Sequence, residues 1–135
     1  MNDVLLAKVA SIQRCVARAR LEFDAAGAGF AQDLTRQDAA VLNVLRACET
    51  AIDLANVIIR ERQLGIPPSN RDSFRLLAEA GVITADLSLR LQRMVGFRNV
   101  AVHRYRELDI AILAAVITRD LGDLLDFSER VAKIA

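Results

Sequence analysis

The chain has 135 residues, 53% of them apolar but only 4% aromatic, with 6 glycines and a net charge of +1. That length and composition predict one all-α domain over residues 1–135, because strands draw on β-branched and aromatic residues set between turn clusters. A near-neutral balance excludes a polycation that coats nucleic acid, and the longest apolar run, Ile110 to Ile117, is far too short to cross a membrane.

In chain order, residues 3–26 repeat Val4, Leu5, Val9, Ile12, Val16, Ala19 and Phe23 at helical spacing, and "AAGAG" ends that helix. "DLTRQD" restarts the chain with Thr35 as the expected N-cap of a helix running to about Gln63, where Gly65, Pro67 and Pro68 stop it. Asn70 is expected to cap a short helix from Asp72 to Ala80 closed by Gly81. Thr84 caps the next, running out near Tyr105, and Asp109 caps the last, to about Ile134. Short connections make this an antiparallel bundle of about five helices. "MNDVLLAK" lacks the basic start of a signal peptide, so a cytoplasmic protein is expected, with Cys15 and Cys48 as reduced core residues.

The fourth helix carries "GFRNVAVHRY", which holds the only histidine and the only tyrosine of the chain. Arg90, Arg93, Arg98, Arg104 and Arg106 fall between residues 90 and 106 with no acid among them, which predicts a localised phosphate site. On a helical wheel Arg98 lies within the stripe of Leu91, Met94, Val95 and Val102, and Tyr105 joins that stripe. His103 falls on a polar flank with Asn99, Gln92 and Gly96, about 140° from Arg98. A guanidinium facing the core needs a partner, and the second helix offers a polar seam of Arg46, Glu49, Asp53, Asn56 and Arg60. Glu49 or Asp53 could accept it; the plain alternative is a solvated row of intrahelical ion pairs.

Arg98 and His103 do not converge on an ideal helix. Either the helix loosens near its end or the site draws on two chains. Cleaving RNA without a metal needs a base for the 2′-hydroxyl, an acid for the leaving oxygen and a cation on the phosphate. A symmetric dimer supplies two histidines and two arginines around one cleft. The sequence has no Cys/His metal set, no glycine-rich phosphate loop and no GxSxG elbow, so neither a metal nor a cofactor is expected.

The Arg-x4-His-x-Tyr spacing of "GFRNVAVHRY" resembles the signature of HepT-like toxins of the HEPN superfamily. "ACETAIDLANVII", "LGIPPSNRDSFRLLAEAGVI" and "LRLQRMVGFRNVAVHRY" resemble that family's second helix, its proline turn with the third helix, and the segment entering the motif. The resemblance implies a homodimeric helical bundle and the toxin of a type II-like toxin–antitoxin pair, with metal-independent endoribonuclease activity. Arg98 and His103 are then the catalytic pair and Asn99 a supporting residue; the residues themselves put Glu49 or Asp53 behind Arg98, and Arg93, Arg104 and Arg106 on RNA. The resemblance further implies an MntA-like nucleotidyltransferase antitoxin that adds AMP to Tyr105. Many relatives carry an acidic residue between the histidine and the tyrosine, where this chain has Arg104. Two other functions fit the residues: a non-catalytic nucleotide- or RNA-binding partner of a nucleotidyltransferase, and a purely structural helical dimer.

Overall fold

The computed structural model describes residues 2–104 and 107–135; Tyr105 and Arg106 lie outside the described residues. The elements are α1 (Asp3–Ala26), a 3-10 segment (Gly27–Gln32), α2 (Leu34–Arg62), α3 (Asn70–Glu79), α4 (Ala85–His103), α5 (Ile110–Ala115), a π-turn (Val116–Asp120) and α6 (Leu121–Ile134). The expected all-α bundle is borne out.

Each boundary has a local cause. Thr84 and Asp109 cap α4 and α5 as expected, accepting hydrogen bonds from the amides of Leu87 at 3.1 Å and Ala111 at 2.8 Å. Two other caps fall one or two residues earlier than expected. Asp33 rather than Thr35 caps α2, its Oδ1 accepting from Arg36 N at 3.0 Å. Ser69 rather than Asn70 caps α3, accepting from the Asp72 amide at 3.3 Å while its hydroxyl donates to the Asp72 carboxylate at 2.8 Å. "AAGAG" does end α1, but the chain continues as a 3-10 segment, held by Gln37 donating to the Phe30 carbonyl at 2.7 Å.

The last helix differs most from expectation. Its apolar positions keep helical phase from Leu113 to Val131, yet a π-turn interrupts it. Thr118 Oγ1 donates to the Ala114 carbonyl at 2.8 Å, competing for the acceptor that the helical amide would use. Val116, Ile117 and Thr118 are consecutive β-branched residues, which crowd a regular helical turn.

α1 packs along α2 and α6, α3 along α4, and α2 also meets α3, α4 and α6. One core cluster runs through all of them, with Ile12, Leu54, Ile58, Leu77, Leu91 and Phe127 fully enclosed. Phe74 and Phe127 meet edge to face at 5.6 Å, joining α3 to α6. Ser88 on α4 donates to the Phe74 carbonyl at 2.9 Å, so α3 and α4 are held in register beside the motif. No described helix is long and apolar enough to cross a membrane.

Candidate active site

α4 buries Leu87, Leu91, Met94, Val95 and Ala101, and Arg98 falls inside that face with 21% of its side chain exposed. A guanidinium keeps its charge, so its removal from water has to be met by an anion. Glu49 of α2 supplies it by accepting the Arg98 Nε hydrogen, while Nη1 donates to Asn99 Oδ1 at 3.0 Å. Asp53, one turn further along α2, is exposed and makes no ion pair with Arg98. The rest of the seam is not a row of intrahelical pairs: Asn56 accepts from Ser73 of α3 at 2.7 Å, and Arg46 and Arg60 are exposed.

The last turn of α4 has a different environment. Val102, expected on the inward stripe, is 45% exposed and Val100 47%, while His103 and Asn99 also face solvent. α4 stays helical to His103, where Arg104 N donates to the Val100 carbonyl at 2.8 Å. No loosening therefore swings His103 toward Arg98. Five residues and about 140° separate them, so the two side chains leave α4 on different faces.

The arginine-rich stretch is less basic than its spelling. Arg90 donates to Asp86 at 3.0 Å, Asp123 at 2.5 Å and Asp126 at 3.3 Å. The hydrogen bond to Asp123 is the main reason its guanidinium holds its proton even more firmly than usual. Arg90 thus ties α4 to α6 and is no part of a phosphate site. With Arg98 paired to Glu49, two of the charges expected in that patch are already matched by acids from other helices. Arg93 and Arg104 are exposed with no ion pair among the described residues. Arg93 lines a cavity of about 240 Å³ with Met94, Phe97, Val116 and Arg119, on the side of α4 toward the last helix. Tyr105 and Arg106 were expected to serve as the modified residue and an RNA contact; both lie outside the described residues.

One cation the sequence reading passed over comes close to the motif. The Arg71 guanidinium on α3 lies over Gly96 of α4, so near that a Cβ at Gly96 would sit 2.6 Å from Nη2. A glycine in the middle of a helix was the available signal.

Cys48 sits beside Glu49, and burial pushes its thiol up to about 12, the Glu49 charge adding to the effect and Arg98 opposing it. Native protein treated with iodoacetamide at neutral pH should leave Cys48 unmodified in peptide mass spectra, and denatured protein should not. Labelling of native Cys48 as fast as of the denatured chain would contradict this burial. Among the described residues no group of three or more His, Cys, Asp or Glu side chains could hold a metal ion.

A half-buried arginine braced by a glutamate, followed by an exposed histidine near the end of one helix, suits phosphodiester chemistry. The family model described as ribonuclease HepT-like matches residues 12–131. The chain belongs to the HepT-like ribonuclease family. It is 48% identical over 127 residues to the mRNA nuclease HepT of Shewanella oneidensis, covering 94% of this chain and 95% of that protein. A solved structure of a tri-AMPylated HEPN toxin of Shewanella oneidensis in complex with MNT antitoxin matches at TM-score 0.91 and 47% identity, with 100% of each chain covered. The protein YutE of Bacillus subtilis, at 19% identity, 93% and 88% coverage and TM-score 0.73, shares the fold alone. The resemblance read from "GFRNVAVHRY" and its flanking helices is borne out, as is the HEPN-type bundle of a ribonuclease family.

Proposed function

We propose that this chain is the RNA-cleaving toxin of a toxin–antitoxin pair, a single-domain endoribonuclease that works in the cytoplasm as a homodimer. The observation that carries the reading is the braced Arg98 beside Asn99, with exposed His103 on another face of the same helix. Glu49 and Asn99 fix the Arg98 fork before substrate arrives, so its charge meets the developing phosphorane charge without reorganisation. In the dimer the neutral imidazole of one His103 takes the 2′-hydroxyl proton as that oxygen attacks phosphorus. The protonated imidazole of the second chain gives its proton to the departing oxygen. One histidine per chain, pointing away from its own arginine, makes sense when a second copy faces it. Val100 and Val102, exposed beside His103, give the end of α4 an apolar surface for that contact.

The partner is an MntA-like nucleotidyltransferase antitoxin that silences the toxin by joining AMP to Tyr105. The relative seen as a tri-AMPylated toxin with MNT antitoxin supports this. A phosphodiester on the residue that follows Arg104 in the chain adds bulk and negative charge to the motif that RNA phosphate has to reach. The purified chain should cut RNA in excess chelator, and incubation with the antitoxin and ATP should add AMP mass at Tyr105 and abolish cleavage. RNA binding with no cleavage at any enzyme excess would instead favour the non-catalytic binding module.

A further inference from the structure

α3 brings a second, unclaimed cation to the motif. Arg71 is exposed, and no carboxylate pairs with it among the described residues. Its neighbour Asp72 is taken up by Ser69 at 2.8 Å and Arg75 at 3.0 Å, which leaves the Arg71 charge unmatched among the described residues. The guanidinium nonetheless does not trail into solvent. It lies against the backbone of α4 at Gly96, where Nη2 and Cζ would stand 2.6 Å and 3.6 Å from any Cβ. Glycine is the poorest helix former apart from proline, and at this position it leaves room for Arg71.

Gly96 shares a flank with Asn99 and His103, at i+3 and i+7, within about 60° around the helix. Arg71 therefore sits on the polar flank that carries His103, about 10 Å back along the α4 axis, too far for one phosphate to touch both. We propose that Arg71 is a substrate-positioning residue that grips an RNA backbone phosphate next to the scissile one, laying the strand along the Gly96–His103 flank. This rests on the ribonuclease reading of the same site. Arginine suits the role because its planar fork matches phosphate oxygens and remains charged at every working pH. Its seat over Gly96 sets that fork against the flank, a constraint that a surface arginine on a bare helix lacks.

Binding of a fluorescein-labelled single-stranded RNA, followed by anisotropy across a salt series, tests this on the full chain carrying His103→Ala, so that the probe stays intact. Adding Arg71→Ala should weaken binding about tenfold, the worth of one charge-assisted contact, and flatten the log–log salt slope by about 1. Gly96→Ala should act in the same direction while leaving the melting temperature level or higher, because its methyl displaces only the flexible end of Arg71. In otherwise wild-type protein, Arg71→Ala should raise KM with kcat little changed, and Arg71→Lys should recover most of the salt slope. Unchanged affinity and slope overturn the proposal, as does weaker binding at an unchanged slope, which marks a structural role. If wild-type protein cuts RNA and Arg71→Ala matches its KM, this proposal falls and the nuclease reading stands. If wild type and His103→Ala are equally inert, the nuclease reading falls, and the anisotropy series still decides whether Arg71 holds RNA phosphate.

Discussion

Replacing His103 with alanine should lower the rate of RNA cleavage by about 10²–10⁴-fold, the share a positioned general acid or base supplies. The loss belongs in kcat, because an exposed imidazole at the end of α4 contributes little to RNA affinity beside the arginines. Stability should hardly move, since His103 is exposed and substitutions at such surface positions stay within about 0.5 kcal/mol. Mixing provides a stricter check. Dimers of one wild-type chain with one His103→Ala chain keep a single imidazole, so they should cut far below half the wild-type rate when the cleft uses a histidine from each chain, and at half the rate or more when each chain works alone. A His103→Ala homodimer that cuts at the wild-type rate would remove the catalytic assignment.

Arg98→Ala is expected to cost about 10²–10³-fold in kcat, comparable to removing one preorganised donor from a developing oxyanion. The stability change should be small by contrast. Glu49 is 45% exposed and rehydrates when its partner leaves, so the pair stabilises the fold by about 1 kcal/mol at most. Arg98→Lys should restore little activity. One ammonium cannot reach Glu49 and Asn99 as the Nε and Nη1 of a planar fork do, and an unbraced charge has to be organised during the reaction. In one shared site the double Arg98/His103 substitution should be no slower than the slower single one. Cleavage assays beside thermal melts check all of this, and a large fall in melting temperature for Arg98→Ala would make the pair a fold element first.

What could be read from the residues follows how local each cause is. Caps at Thr84 and Asp109 were legible because an acceptor side chain sits immediately before an apolar-periodic run. Asp33 and Ser69 were misplaced by one or two positions because "DLTRQD" and "PPSNRD" each offer more than one competent cap. Arg98 as an inward cation was visible from its phase alone, but the wheel could not choose between Glu49 and Asp53. That choice depends on how far α2 is rotated against α4. The arginine-rich run misled for the same reason: Arg90 finds Asp123 and Asp126 more than 30 residues downstream, across a helix interface that sequence adjacency does not show. Arg71 escaped notice because α3 only approaches Gly96 once the proline turn has brought it back along α4. The π-turn left no trace in the apolar pattern, since Leu113 and Val131 keep the phase of a regular helix.

The Arg90 knot makes α4 a lever. Asp123 and Asp126 clamp one point of the helix to α6 while Asp86 of α4 itself holds the same guanidinium, and Ser88 pins the neighbouring turn to α3. Arg98 is a second, lighter fastening, and beyond it only Ala101 is buried. From Arg98 to His103 the free arm is about 8 Å long, so a tilt of roughly 10° there moves the imidazole by an ångström or more. The aim of the histidine in the isolated chain is set at a distance; a second copy pressed against Val100 and Val102 would steady it where the chemistry happens.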